Sequence, residues 1–246
     1  FGIAMGQIGH GWLATNFDWR WAFIIASSYC AISAFLIMVL FHSPPHIKLE
    51  KVSFGIQLTG NELLLTLVAS SAWGLFNAGY VVYLSFGPSI LIAQGMDTVS
   101  ALGIISIASW IMIFSGALCG YIADRSGRPA LIVFVCLTFS VLSLLLLCCT
   151  TANLISVLIF GLIGMAPAGL IMALAARAMR PENRALGMGI FFMGQFFLQG
   201  PAPGIAGWIY DNTLNPTFPV LFAIFLFLAT AIATVVFNLL RKRMPL

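Results

Sequence analysis

The sequence predicts an all-α integral membrane protein. Hydrophobic residues make up 61% of the 246 positions and charged residues only 7%, whereas soluble domains carry about 25% charged residues. The charged residues occur in short groups separated by long stretches without Asp, Glu, Lys or Arg. These stretches are 21–47, 63–96, 98–123, 129–176, 185–210 and 212–240. Each is longer than the roughly 20 apolar residues that cross a bilayer as a helix.

The charge-free stretches divide into one incomplete span and seven full spans. Residues 1–14 are apolar but too short to cross. We expect the full spans at 21–41, 63–86, 98–121, 130–149, 153–176, 185–209 and 217–240. The links are short except for 42–62, whose paired prolines and mixed charges indicate a solvated boundary between two groups of helices.

The chain begins with Phe1, inside an apolar segment, and has no positively charged leader or small-residue cleavage site typical of a signal peptide. A half-helix in a bilayer would leave backbone groups without hydrogen bonds. We therefore expect a truncated sequence, with further helices of the same protein before residue 1.

The basic residues indicate the orientation of the spans. When the links are assigned to alternate sides, ten of the 11 Lys and Arg residues share one side, and Arg20 alone lies on the other. The ten are Lys48, Lys51, Arg125, Arg128, Arg177, Arg180, Arg184, Arg241, Lys242 and Arg243. The positive-inside rule places this side, with the C-terminus, in the cytoplasm. The net charge of +4 is thus a topology signal, and we expect no nucleic-acid partner.

A nine-residue segment from Gly120 to Arg128 (GYIADRSGR) ends one span and leads into the next. Gly127 permits a sharp reversal of the chain. Asp124 could accept hydrogen bonds from N–H groups at a neighbouring helix N-terminus, where the helix dipole favours an anion. Arg125 and Arg128 could supply an ion pair and anchors on the cytoplasmic side. An ordinary charged turn is the alternative interpretation.

This segment resembles the loop signature G-x-x-x-D-R-x-G-R of the major facilitator superfamily, although Pro129 stands where the family usually has another Lys or Arg. WRWAF at 19–23 resembles the start of the sixth helix in many members, and RPENRALG at 180–187 resembles the link into the eleventh. The resemblance implies an incomplete major facilitator fold. Its parts are 1–41 (part of helix five, and helix six), 42–62 (central cytoplasmic loop) and 63–246 (the C-terminal six-helix bundle, helices seven to twelve).

The resemblance implies a secondary active transporter that moves a small organic solute or ion across the inner membrane by alternating access. It implies no enzyme activity, cofactor or metal, and its partners are the substrate, the lipid bilayer and the preceding helices. Residues 177–212 are similar to bacterial permeases of the cyanate and nitroimidazole type. A proton-coupled multidrug or metabolite exporter is the alternative, although 6–11 (GQIGHG) departs from the exporter motif G-P-x-x-G-G.

Five side chains are candidate substrate contacts. In carriers of this family the first, fourth, seventh and tenth helices line the central cavity. Trp73, Asn77 and Tyr80 in the seventh helix are spaced i, i+4, i+7 and share one helix face. Gln195 and Gln199 lie four residues apart in the eleventh helix and could line the same cavity. Hydrogen bonding between helices is the alternative role for the first three residues. The alternative for the two glutamines is pairing with each other or with a neighbouring backbone.

A proline- and glycine-rich segment must interrupt the span 185–209. Its candidate hinge residues are Gly200, Pro201, Pro203 and Gly204. A static kink is the alternative to a bend that flexes during transport. The surroundings of Pro167 raise the same question in the span 153–176.

Three other classes of membrane protein fit the sequence less well. A seven-span receptor or retinal protein also fits seven full spans, but retinal binding needs a lysine within a span, and every lysine lies in a link. An enzyme needs paired carboxylates, a metal cluster or an activated serine, and a channel needs a filter loop or charged ring. The sequence shows neither these enzyme groups nor these channel features. No carboxylate or lysine lies within a full span, so this sequence supplies no proton relay there.

Overall fold

The computed structural model describes residues 2–41 and 58–244. Most of the predicted central loop, 42–57, lies outside the described residues. Within the described ranges the chain forms helices and no strands. The helices are α1 (Gly2–Asn16), α2 (Trp19–Leu40), α3 (Gly60–Ala93), α4 (Thr98–Ser126), α5 (Pro129–Cys149), α6 (Asn153–Ile159), α7 (Ala168–Met172), α8 (Leu174–Ala178), α9 (Arg184–Gln199), α10 (Ala202–Thr213) and α11 (Thr217–Arg243).

Six helical segments in the described part of the chain are long and apolar enough to cross a membrane. They are α2, α3, α4, α5, the segment Asn153–Ala178 that contains α6 to α8, and α11. The prediction of an all-α membrane protein is therefore confirmed. The predicted span 185–209 corresponds to α9 and α10 together.

Helix α3 is the centre of the bundle and packs against α9, α11 and α4. Its 34 residues extend for about 50 Å, well beyond the predicted span 63–86, and the helix continues through Pro88. Leu65 and Phe76 are buried in the core. A Cβ atom at Gly79 would lie 3.1 Å from the Phe227 ring, so the absence of a side chain allows α3 and α11 to approach closely.

The first two helices are packed far less than the rest. Helix α1 contacts α4, where Gly11 lies against the Leu102 side chain. Ala22 is the one buried residue of α2, whose other side chains are largely exposed. Asp18 caps the start of α2 by accepting a hydrogen bond from the Arg20 N–H at 2.9 Å.

The span predicted at 153–176 is interrupted by a π-helical turn, Phe160–Gly164. The Met165 N–H bonds the Phe160 carbonyl at 2.8 Å, five residues back. Two serines on neighbouring helices donate to carbonyls of this turn: Ser115 to Gly161 and Ser140 to Gly164, each at 2.8 Å. We call this segment, with its serine bonds, the π joint.

The second interruption separates α9 from α10 and is confined to Gly200 and Pro201. Both residues keep right-handed helical dihedral angles. Pro203 and Gly204, which we expected to contribute to the interruption, lie inside α10. Because Pro203 occupies the first turn of α10, where intrahelical N–H donors are not needed, the helix accepts it. We call Gly200–Pro201 the glycine–proline joint.

Candidate functional site

Helices α3 and α9 cross with very close backbones. The Ser70 hydroxyl donates to the Phe191 carbonyl at 2.7 Å. A Cβ atom at Gly74 would lie 3.1 Å from both the Cα and the carbonyl oxygen of Gln195. Small residues at such positions allow helices to pack tightly in a membrane. This α3–α9 crossing therefore fixes Gln195 beside the middle of α3.

The two candidate glutamines of α9 bond to each other. The Gln195 Nε2 group donates to Gln199 Oε1 at 3.0 Å. The side chain of Gln195 is only 7% exposed, and its Oε1 atom is buried without a hydrogen-bond partner. Mutual pairing, the alternative role for these residues, accounts for the amide N–H of Gln195 and leaves its oxygen as a free acceptor.

Trp73 and Asn77 lie beside the crossing on α3. At 3.6 residues per turn, they are about 60° and 20° around the helix from Ser70, which contacts α9. The Asn77 Nδ2 group donates to the Trp73 carbonyl within the same helix at 2.8 Å. The indole Nε1 of Trp73 is buried without a partner, and its ring stacks against Phe76 at 5.9 Å. This face therefore holds a free donor.

Tyr80 faces a different neighbour. Its hydroxyl shares a 2.7 Å hydrogen bond with the Ser109 hydroxyl of α4, and its side chain is 4% exposed. The contact joins α3 to α4, which is the interhelical role given above as the alternative to substrate binding. Of the three residues predicted on one face, Asn77 lies closest in angle to the α9 contact, and Trp73 lies about 20° from Tyr80 around the helix.

The chemistry available at the α3–α9 crossing is neutral hydrogen bonding. Gln195 contributes its amide oxygen there. The indole donor of Trp73 lies on α3 about 80° around the helix from the centre of the Ser70–Gly74 contact. Pro201 and Pro203 lack the N–H groups that would otherwise reach the carbonyls of Phe197 and Gln199, four residues earlier. Among the described residues there is no group of three or more His, Cys, Asp or Glu that could hold a metal ion.

The signature segment forms the reversal that its sequence predicts. Helix α4 ends at Ser126, and Gly127 adopts a left-handed conformation with φ of 64°, which favours glycine. The Gly127 N–H bonds the Ala123 carbonyl at 3.1 Å. The Arg125 guanidinium donates to the Tyr121 hydroxyl at 3.1 Å.

The expected partner of Asp124 is not found. Within residues 2–41 and 58–244, Asp124 forms no hydrogen bond to a helix N-terminus and no ion pair. Arg125 and Arg128 likewise form no ion pair there. Residues 124–128 are all exposed, and although α5 begins directly after them at Pro129, its first N–H groups form no hydrogen bond with the Asp124 carboxylate.

A buried carboxylate that the sequence-based reasoning missed holds the other end of α3. Glu62 is fully buried and accepts hydrogen bonds from the Thr59 N–H at 2.9 Å, the Arg180 N–H at 3.1 Å and the Asn183 amide at 3.0 Å. Its Oε1 also lies 3.9 Å from Arg180 Nε. It therefore ties the start of α3 to the turn before α9, the two helices of the crossing.

Part of this contact was visible in the sequence. Thr59 and Glu62 form a capping box, in which each side chain bonds the backbone N–H of the other residue. The threonine and glutamate three residues apart, just before a hydrophobic run, are the signal for it. The bonds to 180–183 depend on the fold and had no local signal.

Comparison with known proteins gave one match. The family model described as Major Facilitator Superfamily matches residues 1–203. No curated protein and no solved structure matched. The matched region covers most of the chain and includes α3, α9 and the signature segment, so the resemblance seen in the loop motifs is confirmed. The chain belongs to the major facilitator superfamily, and is thus a multi-pass membrane protein of a secondary transporter family.

Proposed function

We propose that the chain moves a small organic solute by alternating access and that the solute binds at the α3–α9 crossing. Four buried side-chain atoms of the described residues lack a hydrogen-bond partner, Thr66 Oγ1, Trp73 Nε1, Asn153 Oδ1 and Gln195 Oε1. The observation that carries this proposal is that two of them, Trp73 Nε1 and Gln195 Oε1, belong to the predicted substrate contacts. Unsatisfied polar groups are costly in a bilayer and rare in folded proteins. A solute that accepts from the indole and donates to the amide would satisfy both.

The proposed solute is uncharged where it meets this part of the protein. Trp73, Asn77, Gln195 and Gln199 are all neutral, and no Asp, Glu, Lys or Arg occurs in 63–96 or 185–210. A proton-coupled exporter, the alternative, would need an ionisable group contributed from outside these spans. The neutral chemistry thus favours a carrier of neutral solutes over that alternative.

The proposed organisation follows the family arrangement. Helices α3 to α11 would form the C-terminal six-helix bundle, and α1 and α2 would belong to the N-terminal bundle, whose other helices would cover the exposed surface of α2. The basic residues favour a C-terminus in the cytoplasm and an inner-membrane location. A cysteine introduced at Lys242 should then react with a membrane-impermeant thiol reagent in inside-out vesicles only. Reaction in right-side-out vesicles alone would contradict this orientation.

The binding proposal is tested with two matched tryptophans. Trp73 and Trp208 each have an asparagine four residues later whose amide donates to the tryptophan carbonyl, at 2.8 Å and 2.7 Å. The indole nitrogen of Trp73 is buried, whereas Trp208 is exposed on α10. Changing tryptophan to phenylalanine removes the indole donor and retains an aromatic ring.

The probes are radiolabelled hexoses, nucleosides and aromatic amides, tested for saturable binding to the protein in nanodiscs. For any probe that binds, Trp73→Phe and Gln195→Leu should weaken binding roughly tenfold, as expected for loss of one buried hydrogen bond. Trp208→Phe should leave binding unchanged. Equal binding by the parent protein, Trp73→Phe and Gln195→Leu would contradict the site.

A further inference from the structure

We propose that four cations at one end of the bundle, Arg177, Arg241, Lys242 and Arg243, bind the phosphate groups of anionic phospholipids. We call these residues the basic patch. The proposal is independent of the transported solute and of the orientation of the protein, because phospholipid headgroups are present at both membrane surfaces.

The fold brings the basic patch together from two distant parts of the sequence. Arg177 lies in the last turn of α8, and the other three residues lie in the last turn of α11. The Arg241 Nε group donates to the Arg177 carbonyl at 3.0 Å. This bond places the ends of α8 and α11 side by side, so that charges separated by more than 60 positions share one surface.

The protein does not neutralise this surface. In the described part of the chain, one ion pair is found, between Arg180 and Glu62. No member of the basic patch forms an ion pair there. Glu62 is buried, and its carboxylate accepts hydrogen bonds from 59, 180 and 183. Glu182, on the neighbouring turn, is exposed and makes no ion pair there. Four clustered like charges repel one another unless an anion lies among them.

The position of the basic patch favours a lipid over a soluble anion. The patch follows directly after 212–240, a stretch without charged residues. Ile232, Val236 and Leu239 are exposed on α11, and at 3.6 residues per turn they lie within about 40° of Arg243 around the helix. Arg243 therefore stands next to an apolar surface for acyl chains, and basic clusters beside membrane spans attract anionic lipids.

The test uses variants that remove charge without removing the bond that joins the two helices. The triple variant Arg177→Gln, Lys242→Gln, Arg243→Gln retains the Arg241 side chain and the backbone carbonyl at 177. Each protein is released from nanodiscs of equal parts phosphatidylglycerol and phosphatidylcholine, and its bound lipids are counted by native mass spectrometry. The parent protein should retain phosphatidylglycerol roughly tenfold more than phosphatidylcholine, and the triple variant should approach parity.

Three controls make the result specific. The double variant Arg177→Lys, Arg243→Lys keeps the charges and should keep the phosphatidylglycerol preference. Arg20→Gln, at the predicted opposite face, should also leave it unchanged. Thermal unfolding in phosphatidylcholine alone should be the same for the triple variant and the parent, and if the triple variant unfolds there, the exposed pair Lys242→Gln, Arg243→Gln replaces it.

Two results would overturn the proposal. One is an undiminished phosphatidylglycerol preference in the folded triple variant, or in the pair that replaces it. The other is displacement of phosphatidylglycerol from the parent protein by millimolar inorganic phosphate, since that outcome would identify a site for soluble anions.

Discussion

The π joint and the glycine–proline joint are both breaks in a membrane span near a proline, yet their surroundings differ. Phe160, Gly161 and Gly164 of the π joint are buried, and Ser115 and Ser140 from two other helices bond its carbonyls. Gly200 and Pro201 are exposed, and no neighbouring helix donates a hydrogen bond to the backbone of 197–201 in the described part of the chain.

The comparison shows that a proline alone does not determine whether a break can move. A break is fixed when neighbouring side chains satisfy the backbone groups that it frees, because moving it would cost those bonds. The π joint meets this condition, so the static-kink interpretation fits it. The glycine–proline joint does not meet it, so it is the better candidate for a hinge between α9, which carries Gln195, and α10.

The largest expected effect comes from adding one methyl group at the π joint. In Gly161→Ala the new Cβ atom would lie 2.7 Å from the Cα of Ala108 and 2.8 Å from its carbonyl oxygen. Because these are backbone atoms, α4 must shift, and we expect a loss of about 1–3 kcal/mol in the free energy of unfolding. Gly204→Ala in α10 is the control, since nothing lies within 4 Å of its Cβ position. Equal stability of the two variants in thermal unfolding would show that the π joint is not tightly held.

A smaller effect is expected from removing one of the serine bonds. Ser140→Ala leaves the Gly164 carbonyl without its interhelical donor. We expect the free energy of unfolding to fall by about 0.5–1.5 kcal/mol. Ser85→Ala is the matched control, because the Ser85 hydroxyl bonds only the Val81 carbonyl of its own helix at 2.9 Å and is exposed. Unfolding in denaturant measures both. If Ser85→Ala lowered the free energy of unfolding as much as Ser140→Ala, the interhelical bond would contribute no more stability than a bond within one helix, which would contradict the prediction.

The smallest effect on stability, and the most informative about motion, is expected from replacing the prolines. Pro201→Ala supplies an N–H for the Phe197 carbonyl and should make α9 and α10 one continuous helix. The distance distribution between spin labels at the exposed positions 193 and 208 should then become narrower. Pro167→Ala, with labels at the exposed positions 155 and 172, should leave the width unchanged. Equal narrowing in both pairs would contradict the distinction between the joints.

The class of fold and the break near Pro201 could be predicted from the sequence. The length of the charge-free stretches and the missing N–H groups of proline can both be read from neighbouring residues alone. The sequence did not reveal the π turn, since that turn depends on Ser115 and Ser140 arriving from other helices. The same limit applies to the candidate site. The spacing of Trp73 and Asn77 indicated a shared face, but the bond from Tyr80 to α4 required the packed bundle.

The missed role of Glu62 has a similar origin. Its capping box with Thr59 was readable, whereas its bonds to the turn before α9 join residues 118 positions apart or more. The absent partner of Asp124 is the reverse case. A motif suggested a contact, but in the described structure the turn is exposed and no donor bonds the Asp124 carboxylate.

Hydrogen exchange of the parent protein in nanodiscs, read by mass spectrometry, tests the central distinction most directly. The account predicts that the hydrogen-bonded amides of 205–209, beyond the glycine–proline joint, exchange at least roughly tenfold faster than those of 161–166 in the π joint, since freely opening segments lose protection first. Equal protection of the two segments, or faster exchange in 161–166, would contradict the account of one fixed joint and one movable joint.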